Sequence, residues 1–180
     1  NLDCLQFDEQ AATPIIFVNK SKETPSWLPY RGADINIEEN NNIYNKIEQT
    51  AVYFIGSFIL SKNPARQTAL KSIEFALNHN KIIAFDPSFR ARLWPDSKKG
   101  KKIIKEIINE SDFIKPSLDD AFHLFGKDTP ENYLKKYHDT GAKIVILTLG
   151  KDGVLVSDGK NEPLQIPVFS KKVIDVTGAG

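Results

Sequence analysis

Methionine is absent from the 180 residues, cysteine occurs once and histidine three times. The single thiol, Cys4, excludes an internal disulfide framework, and neither it nor His79, His123 and His138 shows the spacing of a metal site. A reducing, cytoplasmic setting is expected. Also missing is any apolar stretch near the roughly 20 residues that a membrane-spanning helix needs. No basic and apolar leader opens the chain either, so no membrane partner is expected. An excess of one charge is lacking: 24 Lys and Arg offset 23 Asp and Glu, which removes the usual electrostatic reason to expect nucleic acid. Any anion site must therefore be local. The absence of Met, with a last segment reading Val176-Thr177-Gly178-Ala179-Gly180, leads us to expect an internal piece of a longer protein.

The length and a 41% hydrophobic content suit one well-buried core. Strand and helix patterns alternate after about residue 45, the signature of βαβ units and a mostly parallel sheet. Ala51 to Gly56, Lys81 to Phe85 and Lys143 to Leu149 are continuous apolar runs of the kind strands covered on both faces require. Between them, Ala69, Leu70, Ile73, Ala76 and Leu77 recur at helical spacing, as do Ile103, Ile104, Ile107 and Ile108. Asp112 to Lys115 reads as a short strand. It runs into a helix from Pro116-Ser117, with Leu118, Ala121, Phe122 and Phe125 facing inward and Gly126 as a stop. A short helix is predicted over 130–137. Val154 to Val156 follows the strongest strand too closely for a crossover helix, so those two strands should pair antiparallel. The lysines of 98–105 alternate with isoleucines and read as a solvated face. Residues 1–35 differ: Pro14, Pro25 and Pro29 punctuate them around a lone strand, Ile15 to Val18, and they read as a small β appendage. Residues 36–180 form the α/β core.

Four junctions could carry chemistry. Val173 to Val176 runs into Thr177-Gly178-Ala179-Gly180, where small residues let backbone N–H groups approach an anion, although an ordinary tight turn needs the same residues. Thr148-Leu149-Gly150-Lys151-Asp152-Gly153 leaves the end of the strongest strand. It is not a Walker A loop, because Val145 stands where the first Gly is required. Asp86-Pro87-Ser88-Phe89-Arg90-Ala91-Arg92-Leu93-Trp94 sets two guanidiniums beside a carboxylate. That arrangement suits an anionic ligand, or an ion pair between Asp86 and one Arg with Trp94 packed over it. Lys115-Pro116-Ser117-Leu118-Asp119-Asp120 is explained by helix capping alone. In a parallel sheet, however, such strand ends line one edge, and that convergence outweighs each motif. Tyr30-Arg31-Gly32-Ala33-Asp34 could bring another Arg over the edge from the appendage. Trp27 is expected to serve packing.

In their order these motifs resemble the ribokinase/PfkB family of carbohydrate kinases, nearest its fructokinase and ketodeoxygluconate kinase branches. The resemblance implies a three-layer αβα fold with a small β lid over the sugar and ATP across the sheet's carboxyl edge. By that likeness Gly178, Ala179 and Gly180 form an anion hole for the transferring phosphoryl group. Arg31 and Arg90 face the substrate, and Lys115, Ser117, Thr148, Gly150 and Gly153 border the nucleotide. Asp120 serves Mg²⁺ through water, while Asp175 and Thr177 match positions that hold a monovalent cation such as K⁺. Ser117 and Asp120 depart from the family's N-x-x-E pattern, and the aspartate the family places after Gly-Ala-Gly as general base lies beyond Gly180. The implied acceptor is a sugar or a sugar acid, with Arg90 tilting toward an acid, and the lid implies a homodimer. Two other readings stand beside this one. One is a dinucleotide-binding oxidoreductase, taking 173–180 as the start of a G-x-G-x-x-G fingerprint. The other is a sugar-binding regulator on the same fold that has lost catalysis.

Overall fold

The computed structural model describes residues 2–19 and 26–169. Two strands, β1 (Ile15–Asn19) and β2 (Ser26–Tyr30), form an antiparallel pair. A six-stranded sheet follows: β3 (Val52–Gly56), β4 (Ile82–Asp86), β5 (Phe113–Ile114), β6 (Ile144–Thr148), β7 (Val154–Ser157) and β8 (Leu164–Ile166), adjacent in that order. β3 to β6 run parallel and β6, β7 and β8 antiparallel. Helices α1 (Asn41–Glu48), α2 (Ala65–Asn78), α3 (Ser97–Glu110), α4 (Leu118–Phe125) and α5 (Pro130–Asp139) complete the three-layer α/β arrangement. Among the described residues no helix is long and apolar enough to cross a membrane.

The parallel strands are explained by what covers them. Ile83, Ala84 and Phe85 are buried in succession, although successive side chains point to opposite faces of a sheet. Only helices on both sides of β4 allow that. The isoleucine stripe of α3 is the clearest case: Ile103, Ile104, Ile107 and Ile108 are buried, whereas Lys98, Lys99, Lys102 and Lys105 face solvent. Asp96 caps this helix by accepting hydrogen bonds from the Lys98 and Lys99 amides. The predicted antiparallel return also holds, with Thr148 opposite Val154 and Val145 opposite Ser157.

Three expectations need correction. Phe122 was expected to face the core, but it is 49% exposed and Leu124 is buried in its place. Ala121, Leu124 and the inner sides of Leu118 and Phe125 define the apolar stripe of α4, and Phe122 falls at its rim. The strand at Ile15 is not alone: Trp27 to Tyr30 pair with it despite Pro29. A two-stranded ribbon has a free outer edge on each strand, where a residue without an N–H is tolerated. The run of β3 was expected to be covered on both faces, but Val52 is 43% and Phe54 61% exposed, because β3 is the edge strand of the described sheet. Strand β8 carries no run that separates it from a loop, since Leu164, Gln165 and Ile166 are all exposed.

Two contacts fix elements around the site. Gly100, in the first turns of α3, lies against the Trp94 indole, and a Cβ there would sit 2.5 Å from Trp94 Cδ2. Gly100→Val is expected to lose about 1 to 3 kcal/mol through overpacking, read as a lower urea midpoint. At the amino ends of the strands, Asp112 accepts hydrogen bonds from the Ile83 amide (2.8 Å) and Lys143 Nζ (2.7 Å). Burial, the largest single influence, pushes its carboxyl up, but the Lys143 and Ile83 hydrogen bonds and the Lys143 charge together hold it below its ordinary value. A depressed carboxylate contributes stability above its unfolded pKa that is lost as pH falls through the folded one. Asp112→Asn should therefore cost more at pH 7 than at pH 3, as urea titrations at the two pH values would show.

Candidate active site

The carboxyl ends of β3, β4, β5 and β6 open onto one rim. At the end of β3, the Ser57 amide donates to Asp86 O at 2.9 Å, which joins that turn to the end of β4. Arg31 reaches this point from β2. It pairs with Asp34, donates to Ser61 Oγ (2.6 Å) and to Phe58 O (3.3 Å), and stacks on the Phe58 ring at 3.8 Å. Trp27 tilts against the same ring at 6.0 Å, and Arg92 lies over Trp27 at 5.3 Å. The two-stranded unit is thus anchored over the rim by aromatic and guanidinium stacking, as its packing assignment for Trp27 anticipated.

The loop after β4 is held from below by Phe89 and Trp94, both buried, with ring centroids 6.1 Å apart. Arg66 lies over Trp94 at 5.3 Å while donating to the Leu60 and Ser61 carbonyls. Asp86 closes the turn by accepting from Ser88 Oγ (2.5 Å) and the Ser88 amide (3.1 Å), and its other oxygen faces Lys115 Nζ at 3.6 Å. The expected alternative, an ion pair between Asp86 and an Arg of its own loop, does not form. Arg90 crosses instead to the first turn of α4, with Nη1 at 2.5 Å from Asp120 Oδ1 and Nη2 at 2.6 Å from Asp119 Oδ2.

Ser117 begins α4 with a reciprocal capping box. Its hydroxyl accepts from the Asp120 amide, and Asp120 Oδ2 accepts from the Ser117 amide at 2.9 Å and hydroxyl at 2.6 Å. Asp120 is therefore a buried carboxylate with one oxygen in the cap and the other on Arg90. Among the described residues no three His, Cys, Asp or Glu side chains gather where they could hold a metal. Mg²⁺ does not need such a cage, because it keeps most of its waters and is bound chiefly through substrate phosphates and one or two carboxylates. Asp120 Oδ1 retains a lone pair for one such water.

The β6 end completes the rim. The Thr148 amide donates to Pro116 O at 2.9 Å, and Ser117 and Thr148 form a parallel bridge. The turn that follows needs glycine at one position above all. Gly153 has φ +90°, and a Cβ there would lie 2.1 Å from Ile166 O. Its carbonyl accepts from the Leu149 amide at 2.7 Å, closing 149–153. Gly150 also has positive φ, but open space surrounds it, which suits a position meant to border a ligand.

Arg31, Arg90, Lys115, Ser117, Asp120, Thr148, Gly150 and Gly153 accordingly share one rim. Asp175, Thr177 and the Gly178 to Gly180 run lie outside the described residues. Phe58, Ser61 and Asp119 were not singled out from the sequence. Asp119 had a signal, since two carboxylates open the helix after β5 and two arginines lie in the loop after the adjacent parallel strand β4. Phe58 and Ser61 had none, because their partner Arg31 is about thirty residues away in sequence. The histidines are structural or solvent-facing as expected; His138, for example, bonds Ala142 O and Ser157 Oγ.

A profile of the pfkB family carbohydrate kinases matches residues 1–180. An ATP-dependent 6-phosphofructokinase of Thermoanaerobacterium thermosaccharolyticum is 42% identical over 169 residues, covering 94% of this chain and 52% of that protein. Fructokinase-2 of Oryza sativa subsp. japonica is 32% identical over 184 residues, covering 98% and 53%. In structure, the Halothermothrix orenii fructokinase superposes with a TM-score of 0.81 at 49% identity, over 90% of this chain and 57% of that one. The chain spans about half the length of the curated relatives it matches. These matches leave the dinucleotide-binding reading of 173–180 without support, and they agree with the rim geometry: the chain belongs to the pfkB family of carbohydrate kinases.

Proposed function

We propose that the protein carrying this chain transfers the γ-phosphoryl group of ATP to a hydroxyl of a ketose. The observation that carries this reading is the shared rim, where strand-end loops from β4, β5 and β6 and an arginine from the two-stranded lid meet. Residues 1–35 serve as part of a lid and 36–180 as the nucleotide-binding core. The exposed apolar residues of β1 and β2, among them Ile15, Phe17 and Leu28, suit a homodimer through that lid. A cytoplasmic setting fits a family of metabolic kinases and a chain with one cysteine.

Catalysis of this transfer is chiefly positioning and electrostatic stabilisation. Gly150 and Gly153 keep side chains away from the end of β6, so that a nucleotide can lie across Thr148 and the Ser117 turn. Lys115, tethered by Asp86, supplies positive charge to the phosphates. Arg31 and Arg90 border the acceptor. By the family likeness, Gly178, Ala179 and Gly180 would stabilise charge on the transferring phosphoryl, and the aspartate that the family places after Gly-Ala-Gly would take the hydroxyl proton as the new P–O bond forms and ADP leaves. Mg²⁺, when bound, would neutralise phosphate charge, and Asp120 would hold it through one of its waters; K⁺ would be held by Asp175 and Thr177. The test is transfer of label from γ-labelled ATP by the full-length protein to fructose, fructose 6-phosphate and a keto sugar acid. The expected result is a labelled sugar phosphate. Tight sugar binding with no transfer to any acceptor would favour the regulator instead.

A further inference from the structure

The kinase reading leaves undecided whether the acceptor is neutral or already carries an anionic group. The relatives divide on this point, one being named a 6-phosphofructokinase and others fructokinases. The charges on the rim bear on it directly. Arg31 is engaged by Asp34, Ser61 and Phe58. Lys115 faces Asp86. Arg90 is held by two carboxylates at once, Asp119 and Asp120. Each of those three cations is therefore already met by a carboxylate, and Arg90 by two. A guanidinium grips a phosphate or carboxylate through paired N–H groups. Here both N–H groups of Nη1 are spent on Asp120 and the Phe89 carbonyl and one of Nη2 on Asp119. An incoming anion would meet a guanidinium already neutralised by two carboxylates that the fold holds against it, and would approach those carboxylates at close range. The neighbouring guanidinium, Arg92, is turned onto the lid's Trp27.

We propose that Asp119 is a specificity-determining residue. With Asp120 it clamps Arg90, so that the site selects an uncharged ketose over a ketose phosphate or a keto sugar acid. The inference rests on the kinase reading, and it reverses the tilt toward an acid that Arg90 suggests when met only as a sequence feature. Asp119 is the adjustable half of the clamp. Its side chain is 40% exposed, and its other oxygen faces His123 Nε2 at 3.6 Å, whereas Asp120 is locked into the helix cap. Replacing Asp119 by Asn keeps the shape and removes one negative charge, so that Arg90 is left with a net attraction for an anion.

Initial rates of the full-length protein at saturating ATP would be compared for fructose, fructose 6-phosphate and 2-keto-3-deoxygluconate in the wild type, Asp119→Asn and Asp119→Glu. The wild type should show its highest kcat/KM with fructose. Asp119→Asn should raise the ratio of charged to neutral acceptor about tenfold or more, through KM, and added salt should shrink that gain. Asp119→Glu, which keeps the charge, should retain the wild-type ratio. A wild type that prefers a charged acceptor, an unchanged ratio in Asp119→Asn, or a change confined to the KM for ATP would overturn the proposal and leave the kinase reading standing. Should the Asn variant fail to fold, the wild-type preference and the Glu variant still decide. If the wild type phosphorylates none of the three, it is the kinase reading that fails.

Discussion

Replacing Arg90 by alanine is expected to lower stability by about 2 to 4 kcal/mol, because removing one partner of a buried ion pair strands the other. The stranded group is Asp120, whose side chain is only 6% exposed. Its Oδ2 keeps the capping bonds from Ser117, so the loss falls on Oδ1, and Asp119 is open enough to recover water. Urea denaturation measures the effect. Asp120→Asn in the Arg90→Ala background should return part of the loss, since a neutral amide needs no cation; contacting pairs couple by roughly 0.5 to 3 kcal/mol. A loss in Arg90→Ala below about 0.5 kcal/mol would mean that the pair behaves as a surface ion pair.

A comparable effect is expected at Gly153, by a different route. A side chain there must adopt a positive φ of +90° and place its Cβ 2.1 Å from the Ile166 carbonyl oxygen. That neighbour is backbone and belongs to the paired strand β8, so it cannot rotate away. Strain of this kind costs about 1 to 3 kcal/mol before any overlap is counted, and Gly153→Ala should lose about 2 to 4 kcal/mol in total. The variant also distorts the turn from Thr148 to Gly153. A raised KM for ATP, larger than any change in the KM for the sugar, is therefore expected of the full-length enzyme. Gly150→Ala provides the contrast: its φ is positive as well, but nothing lies within 4 Å of the added methyl, so the stability loss should be the smaller of the two.

Burial patterns that repeat along the chain were legible before any coordinates. The strands β3, β4 and β6, the isoleucine stripe of α3 and the cap at Ser117 each express a local rule and appear where their residues predict, although β3, at the sheet's edge, leaves Val52 and Phe54 exposed. The common rim was legible too, because strand ends in a parallel sheet must share an edge. What stayed hidden depends on tertiary neighbours. Nothing local distinguishes Arg90 bound to Asp86, four residues back, from Arg90 bound to Asp119 and Asp120, about thirty residues on; the register of β4 against β5 decides it. Strand β2 was hidden by Pro29, and β8 by the exposure of all three of its residues. Phe122 was misplaced by treating every aromatic in a helix as core, where a turn of one position carries the ring to solvent.

Hydrogen exchange of the full-length protein, with and without Mg-ATP, tests most directly whether the nucleotide lies on the rim at the carboxyl ends of β5 and β6. Protection should concentrate in peptides covering 115–120 and 148–153 and deepen when fructose is added. Protection confined to other segments, such as the lysine-bearing outer face of α3 or the amino ends of the strands around Asp112, would contradict the assignment.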